Sequence, residues 1–312
     1  MPRIVFHLPP HLLQRVPRAA KGFYGELHHA LHEAGGHVEF RERAFLRAHV
    51  AFEDDAFHFV HQGLVDMPNV LNTGPSYLRD FWYADPKGVF GESSMRSKMF
   101  DPSSVRKERA AKYFSWLRER ILNKRLSKHR QPDEKVAFDG GHVAVFLQGE
   151  SLPVLRAGFV SEVEMVAGVI DATPDRPILI KRHPRNEAQE SWSDIQAMAA
   201  DHERVMLVDA NVHDILEGAA LSCSISSSVS VEGMLHRVPA LVFGRTDFHH
   251  CAVTVETPLE TGRAVASALQ TDWPFEAFLF WFFRQNGLDL RSKVWRRTLS
   301  ERMGQFSPSG FG

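Results

Sequence analysis

Cysteine is almost missing from this 312-residue chain. Cys223 and Cys251 are the only two, too few for a disulfide framework and not spaced as a CxxC pair. Long apolar runs are missing too. "WPFEAFLFWFF" at 273–283 is about half of the roughly 20 residues a membrane span needs, and it reads as core. The first residues lack the basic and apolar regions of a signal peptide, so a reducing cytoplasm is the expected compartment. Several motifs are absent: Asp-x-Asp, G-x-G-x-x-G, a Walker lysine loop and G-x-S-x-G, each of which would carry its own chemistry. "HEAGGH" at 32–37 has the wrong spacing for a zinc helix, and His28 with His32 reads as a surface pair. No internal repeat stands out.

What is present is ordinary globular composition. Hydrophobic residues make up 44%, charged residues 24%, and the formal net charge is −1. That balance excludes a disordered chain and gives no reason to expect a nucleic-acid partner. The length suits two domains, each able to bury a core. "RIVFHL" near the start reads as a strand, 18–33 has helical spacing, and "AGGHVEF" supplies a glycine stop and a second strand, which together make a βαβ opening. "FHFVH" (57–61) and "NVL" (69–71) read as further strands. "NTGPSYLRDFWYADPKGVFGESS" reads as a long loop, because Gly and Pro punctuate it.

From Pro102 to Arg130 a helical pattern carries ten Lys or Arg against Glu108 and Glu119. A solvated face is the ordinary reading; attraction to anionic lipid or to an acidic glycan is the sharper one. "KHRQPDEK" then reads as a linker, giving expected domains of 1–135 and 136–312, the last helices packing back on the first. The second half alternates strand and helix from 142 to 243, the pattern of a parallel sheet with helices on both faces.

In such sheets ligands lie beyond the carboxyl ends of the strands. "ILIKRHP" ends a strand in Lys181, Arg182 and His183, and Pro184 fixes its exit. Lys181 and His183 can offer charge and hydrogen bonds to a phosphate; the plainer alternative is a solvated loop. "LSCSISSSVSVEGMLHRVPALVFG" (221–244) runs a strand into Ser226, Ser227 and Ser228 and then into a helix carrying Glu232. Hydroxyls and backbone N–H groups at a helix start form an anion site, although the serines could equally be only a cap. After the next strand come Arg245, Asp247, His249 and His250.

"KRHP" (181–184), the serine segment (224–244) and "FWYADPKGVFGESS" (81–94) resemble the capsular polysaccharide biosynthesis proteins that act as Kdo transferases. More loosely they resemble bacterial sialyltransferases with an HP motif and a serine motif. The resemblance implies a GT-B-like α/β fold, with two Rossmann-like domains whose parallel sheets face a central cleft. It also implies a CMP-activated acidic sugar, Kdo first among candidates, as donor. His183 would contact the nucleotide phosphate, Ser226, Ser227 and Ser228 the phosphate or the sugar carboxylate, and Glu232 the ribose. Gln148 marks the pattern before a catalytic acid; here that acid is Glu150, where the family would favour Asp. Asp85 is the second candidate base, with a loop-capping role as its alternative. No metal or other cofactor is expected, since the missing Asp-x-Asp disfavours metal-bound carboxylates and cationic side chains with helix ends would stabilise the leaving phosphate.

The expected partners are a nucleotide-sugar donor and a glycan or glycolipid acceptor, with the basic segment 102–130 touching the inner face of the membrane. Two rivals remain open: a UDP- or GDP-sugar transferase or sugar epimerase of similar shape, and a non-catalytic scaffold of capsule assembly that has lost its base. Fold alone does not separate them.

Overall fold

A computed structural model describes residues 3–16, 22–43, 54–149, 156–184 and 191–312. The chain divides into two compact units: one of 1–76, 80–98 and 282–312, the other of 77–79 and 99–281.

The first unit opens with β1 (Arg3–Leu8), the short α1 (Pro10–Leu13), α2 (Phe23–Glu33) and β2 (His37–Glu42). Helix α2 stops at Gly35, whose left-handed φ of 78° lets the Gly36 N–H reach back to the Leu31 carbonyl at 2.8 Å. β3 (Phe57–His61), β4 (Val70–Pro75) and β5 (Phe81–Asp85) follow. The sheet order is β12-β5-β4-β3-β1-β2, where β12 is Leu288–Asp289 near the C-terminus. β2, β1, β3 and β4 run parallel, whereas β5 and β12 pair antiparallel. This sheet is therefore mainly parallel, as expected, with antiparallel pairing only on the two sides of β5. "FWYAD" is a strand inside what reads as a loop, too short and too closely flanked by turn residues to show a periodicity. Ile4, Phe6 and Leu8 of β1 pack with Phe23, Leu27 and Leu31 of α2 and with Trp295 and Leu299 of a C-terminal helix (Trp295–Met303). β2 lies at the edge and is charged and partly exposed, which discourages further pairing.

The second unit begins with α3 (Lys107–Ile121). It was expected in the first domain, ahead of a linker. Ala110, Phe114, Leu117 and Ile121 form its buried face, and Arg118 donates to the Leu235 carbonyl. The supposed linker after it is a strap bonded to this same unit, described below. Then come β6 (Val143–Phe146), α4 (Glu162–Ala172), β7 (Ile178–Lys181), α5 (Trp192–Ala200), β8 (Val205–Leu207), α6 (Val212–Leu216), β9 (Leu221–Ser224), α7 (Ser228–Leu235), β10 (Ala240–Val242), β11 (Val253–Thr254), α8 (Thr261–Gln270) and α9 (Phe275–Leu279). All strands are parallel, in the order β11-β10-β9-β6-β7-β8.

One face of this sheet packs Val143, Val145 and Ile180 against Met165, Val169 and Val265; the other packs Ala144, Phe146 and Leu179 against Val212, Ile215 and Leu216. Burial on both faces explains why these strands read as continuous apolar runs. The aromatic stretch 273–283 is core: Phe275, Phe278, Leu279, Trp281, Phe282 and Phe283 are all buried. No described helix is long and apolar enough to cross a membrane.

Candidate functional site

Because the second sheet is parallel, the ends of β6, β7, β8, β9 and β10 share one edge. From β6 the chain builds outward through β7 and β8, then crosses back to lay β9 against the other side of β6. The order reverses between β6 and β9, and a crevice at such a reversal is where α/β sheets take ligands.

The two sides of that reversal are clasped together. Gly149, after β6, has φ 75°, and the buried Glu162 carboxylate on α4 accepts the N–H groups of Gln148 and Gly149, the latter at 3.0 Å. This fixes the Gln148 side chain, whose Oε1 accepts the Ser226 N–H at 2.6 Å. The Gln148 amide also approaches the Ser226 hydroxyl at 3.4 Å. Ser227 caps α7, its Oγ accepting the Val229 N–H at 3.2 Å, while its own N–H goes to Ser224 Oγ at 3.1 Å. Ser228 begins α7, and all three serines are half-buried. The expected cap is present, and it holds the turn at the positive end of α7.

At the end of β7, Lys181 is 3% exposed and its Nζ lies 2.9 Å from Asp209 Oδ1 beyond β8. Arg182 stacks on the Trp192 ring at 4.9 Å. His183 is half-buried, its ring edge-on to His129 with centroids 5.1 Å apart. Lys181 and Arg182 are thus both held by structural neighbours. Arg185 and Glu150 lie outside the described residues.

Glu232 does not face solvent. It is 1% exposed, and its carboxylate accepts the Ser127 hydroxyl at 2.9 Å and the Lys128 backbone N–H. Burial raises its pKa to about 7, against the opposing pull of the Ser127 and Lys128 hydrogen bonds and of the Lys128 charge. The segment that covers it is tied down along its length. Arg125 bonds the buried Asp214 at 2.6 Å, and Val136 N–H donates to the same Asp214 oxygen at 2.9 Å. The Leu126 carbonyl contacts His213 Nε2 at 2.9 Å, and Asn211 donates to the Pro132 carbonyl. A polar, proline-bearing stretch reads as a linker from composition; here its polar groups satisfy buried partners, as buried acids require.

Asp85 sits in the first unit as a loop organiser. Its Oδ1 accepts the N–H groups of Lys87, Gly88 and Ser94 at 2.9, 3.2 and 2.9 Å, and its Oδ2 accepts the Ser94 hydroxyl at 2.6 Å. With four donors on it, this carboxylate holds the turn rather than standing ready as a base. Glu162 and the strap residues Ser127 to His129 escaped the sequence reading. An acid in the first turn of a helix was the only signal for the former; the latter had none.

The comparisons with known proteins bear on this same unit. Residues 155–284 match the family described as capsule polysaccharide biosynthesis protein. Two structures of KpsC from Thermosulfurimonas dismutans are similar to the chain, each alignment covering 89% of both chains. One, titled beta Kdo 2,4 transferase, has a TM-score of 0.55 at 15% identity; the other, titled beta Kdo 2,7 transferase, has 0.50 at 12%. No curated protein matches the sequence. At these identities the likeness establishes the fold, which is α/β and GT-B-like with two mainly parallel sheets.

Proposed function

We propose that the chain is a glycosyltransferase of capsular or surface polysaccharide synthesis that transfers a CMP-activated acidic sugar, Kdo first among candidates, to a glycan or glycolipid. The observation that carries this reading is the Gln148–Ser226 clasp, which puts the serine turn and the start of α7 at the reversal of the capsule-type sheet. On this reading Ser226, Ser227 and Ser228 take the CMP phosphate or the sugar carboxylate through hydroxyls and helix N–H groups. His183 adds a hydrogen bond from the neighbouring strand end, while Lys181, paired with Asp209, offsets charge from below.

In the reaction the acceptor hydroxyl forms a bond to the anomeric carbon, the bond from that carbon to the CMP phosphate oxygen breaks, and CMP departs with the electron pair. Glu150, two residues after Gln148, accepts the hydroxyl proton. Glu232 supports the site from beneath the strap instead of meeting the ribose. On α3 the exposed Arg106, Lys107, Arg109 and Lys112, with Trp116 at 39% exposure, form a face suited to anionic membrane. Arg118, Arg120 and Arg125 are engaged elsewhere, with the Leu235 carbonyl, the Trp116 ring and Asp214.

Titrating CMP, UDP and GDP by calorimetry tests the donor, and CMP-Kdo turnover by Glu150→Gln tests the base. The reading expects binding of CMP ahead of the diphosphates and a loss of turnover of 100-fold or more, the size of a general-base contribution. Preference for UDP or GDP would overturn the donor assignment, and undiminished turnover would remove Glu150 as the base.

A further inference from the structure

Ser127 and His129 touch two different elements of the second unit. Ser127 bonds Glu232 on α7, which follows β9, and the His129 ring packs on His183, which follows β7. β9 and β7 are the two neighbours of β6. Lys128 is the residue between these two contacts, one on α7 and one at the end of β7.

We infer that Lys128 and His129 belong to the anion site: with His183 and the serine turn they enclose the phosphate of a nucleotide from the side opposite the sheet. The inference rests on the donor site proposed above and adds to it a roof that comes from an otherwise linker-like stretch. The roof is built, not draped. The Lys128 main chain is held by the Glu232 carboxylate while its side chain stays half-buried at the edge. Arg125 with Asp214, and His213 with the Leu126 carbonyl, fix the approach from one side; Asn211 with the Pro132 carbonyl fixes the exit. A cation on a fixed main chain loses little freedom on meeting a phosphate, which is the advantage of a preorganised site. The local sequence Lys128-His129-Arg130 carries no acid, and the carboxylates Asp214 and Glu232 are already engaged with the strap.

The test titrates CMP, UDP and inorganic pyrophosphate against the whole chain and its Lys128→Ala, His129→Gln and Lys135→Ala variants. Lys135 is an exposed cation of the same segment and serves as the charge-matched control; His129→Gln keeps a polar side chain in place should a smaller one fail to fold. The expected result is that each probe bound by the wild type binds tenfold or more weakly to the Lys128 and His129 variants, with Lys135→Ala unchanged. Pyrophosphate binding that depends on the strap, with no CMP binding at all, would support the roof while removing the CMP reading. CMP binding undiminished in both strap variants would overturn the roof and leave the donor reading standing. A folded wild type that binds none of the probes would overturn both.

Discussion

The two sheets carry similar polar residues on and beside their strands and use them differently. In the first unit His7 and His58 share a 3.0 Å contact, His58 bonds Asp54 at 2.8 Å, and His61 meets Tyr24, whose hydroxyl also contacts Thr73 at 2.7 Å. His7 and His61 are each 8% exposed, and burial lowers both pKa values to about 4, helped by nearby positive charge. These histidines are neutral structural members at ordinary pH. In the second unit His183 is half-buried, with the His129 ring of the basic strap against it. A histidine at a strand end is thus informative only once its burial and neighbours are known.

The contrast is broken most severely by Asp214→Ala. It would leave Arg125 and the Val136 N–H without their shared acceptor, at a cost of about 3–5 kcal/mol, measured by urea unfolding. A loss below about 1 kcal/mol would mean that the strap is not anchored as described.

The pH dependence of stability separates the units next. The raised pKa of Glu232 means that the native state holds a proton the unfolded chain releases. Its effect on stability is therefore absent below about 4.5, its ordinary value, and stability declines as pH rises from there through about 7, by about 3 kcal/mol. Glu232→Gln should abolish this decline while keeping an acceptor for Ser127. His7 and His61 act in the opposite sense. Their lowered values make the native state refuse protons, so stability present above about 6.5 is lost as pH falls toward about 4. Chemical denaturation at a series of pH values reads both; an unchanged profile in Glu232→Gln would contradict the burial argument.

A smaller effect is expected for Tyr24→Phe, which strips one hydroxyl from His61 and Thr73 at about 2 kcal/mol without altering CMP affinity. Smallest is Lys112→Ala on the exposed face of α3: within about 0.5 kcal/mol in stability, with weaker, more salt-sensitive binding to vesicles containing anionic lipid. Unchanged vesicle binding would remove that face as a membrane contact.

Much of the second sheet was legible because its strands are buried on both faces and read as apolar runs separated by helices; β6, β7, β8, β9 and β10 all fall inside the alternating stretch 142–243. The serine turn was legible for a related reason, since capping chemistry is local. Three features were not. β5 hid between turn residues, and its antiparallel direction depends on pairing with β4, which no local pattern encodes. The strap looked like a linker because its partners, Asp214 and Glu232, lie about 90 to 100 residues away in sequence. Asp85 looked available because an isolated carboxylate in a loop says nothing of the four donors that close around it.

The central claim is that the carboxyl edge of the second sheet, and not the histidine-rich edge of the first, receives the nucleotide. Calorimetric titration of CMP into the wild type, His183→Ala and His7→Ala tests it most directly. The account expects His183→Ala to weaken CMP binding at least tenfold and His7→Ala to leave it within twofold despite lowering stability. Equal losses in both variants, or a loss confined to His7→Ala, would contradict it.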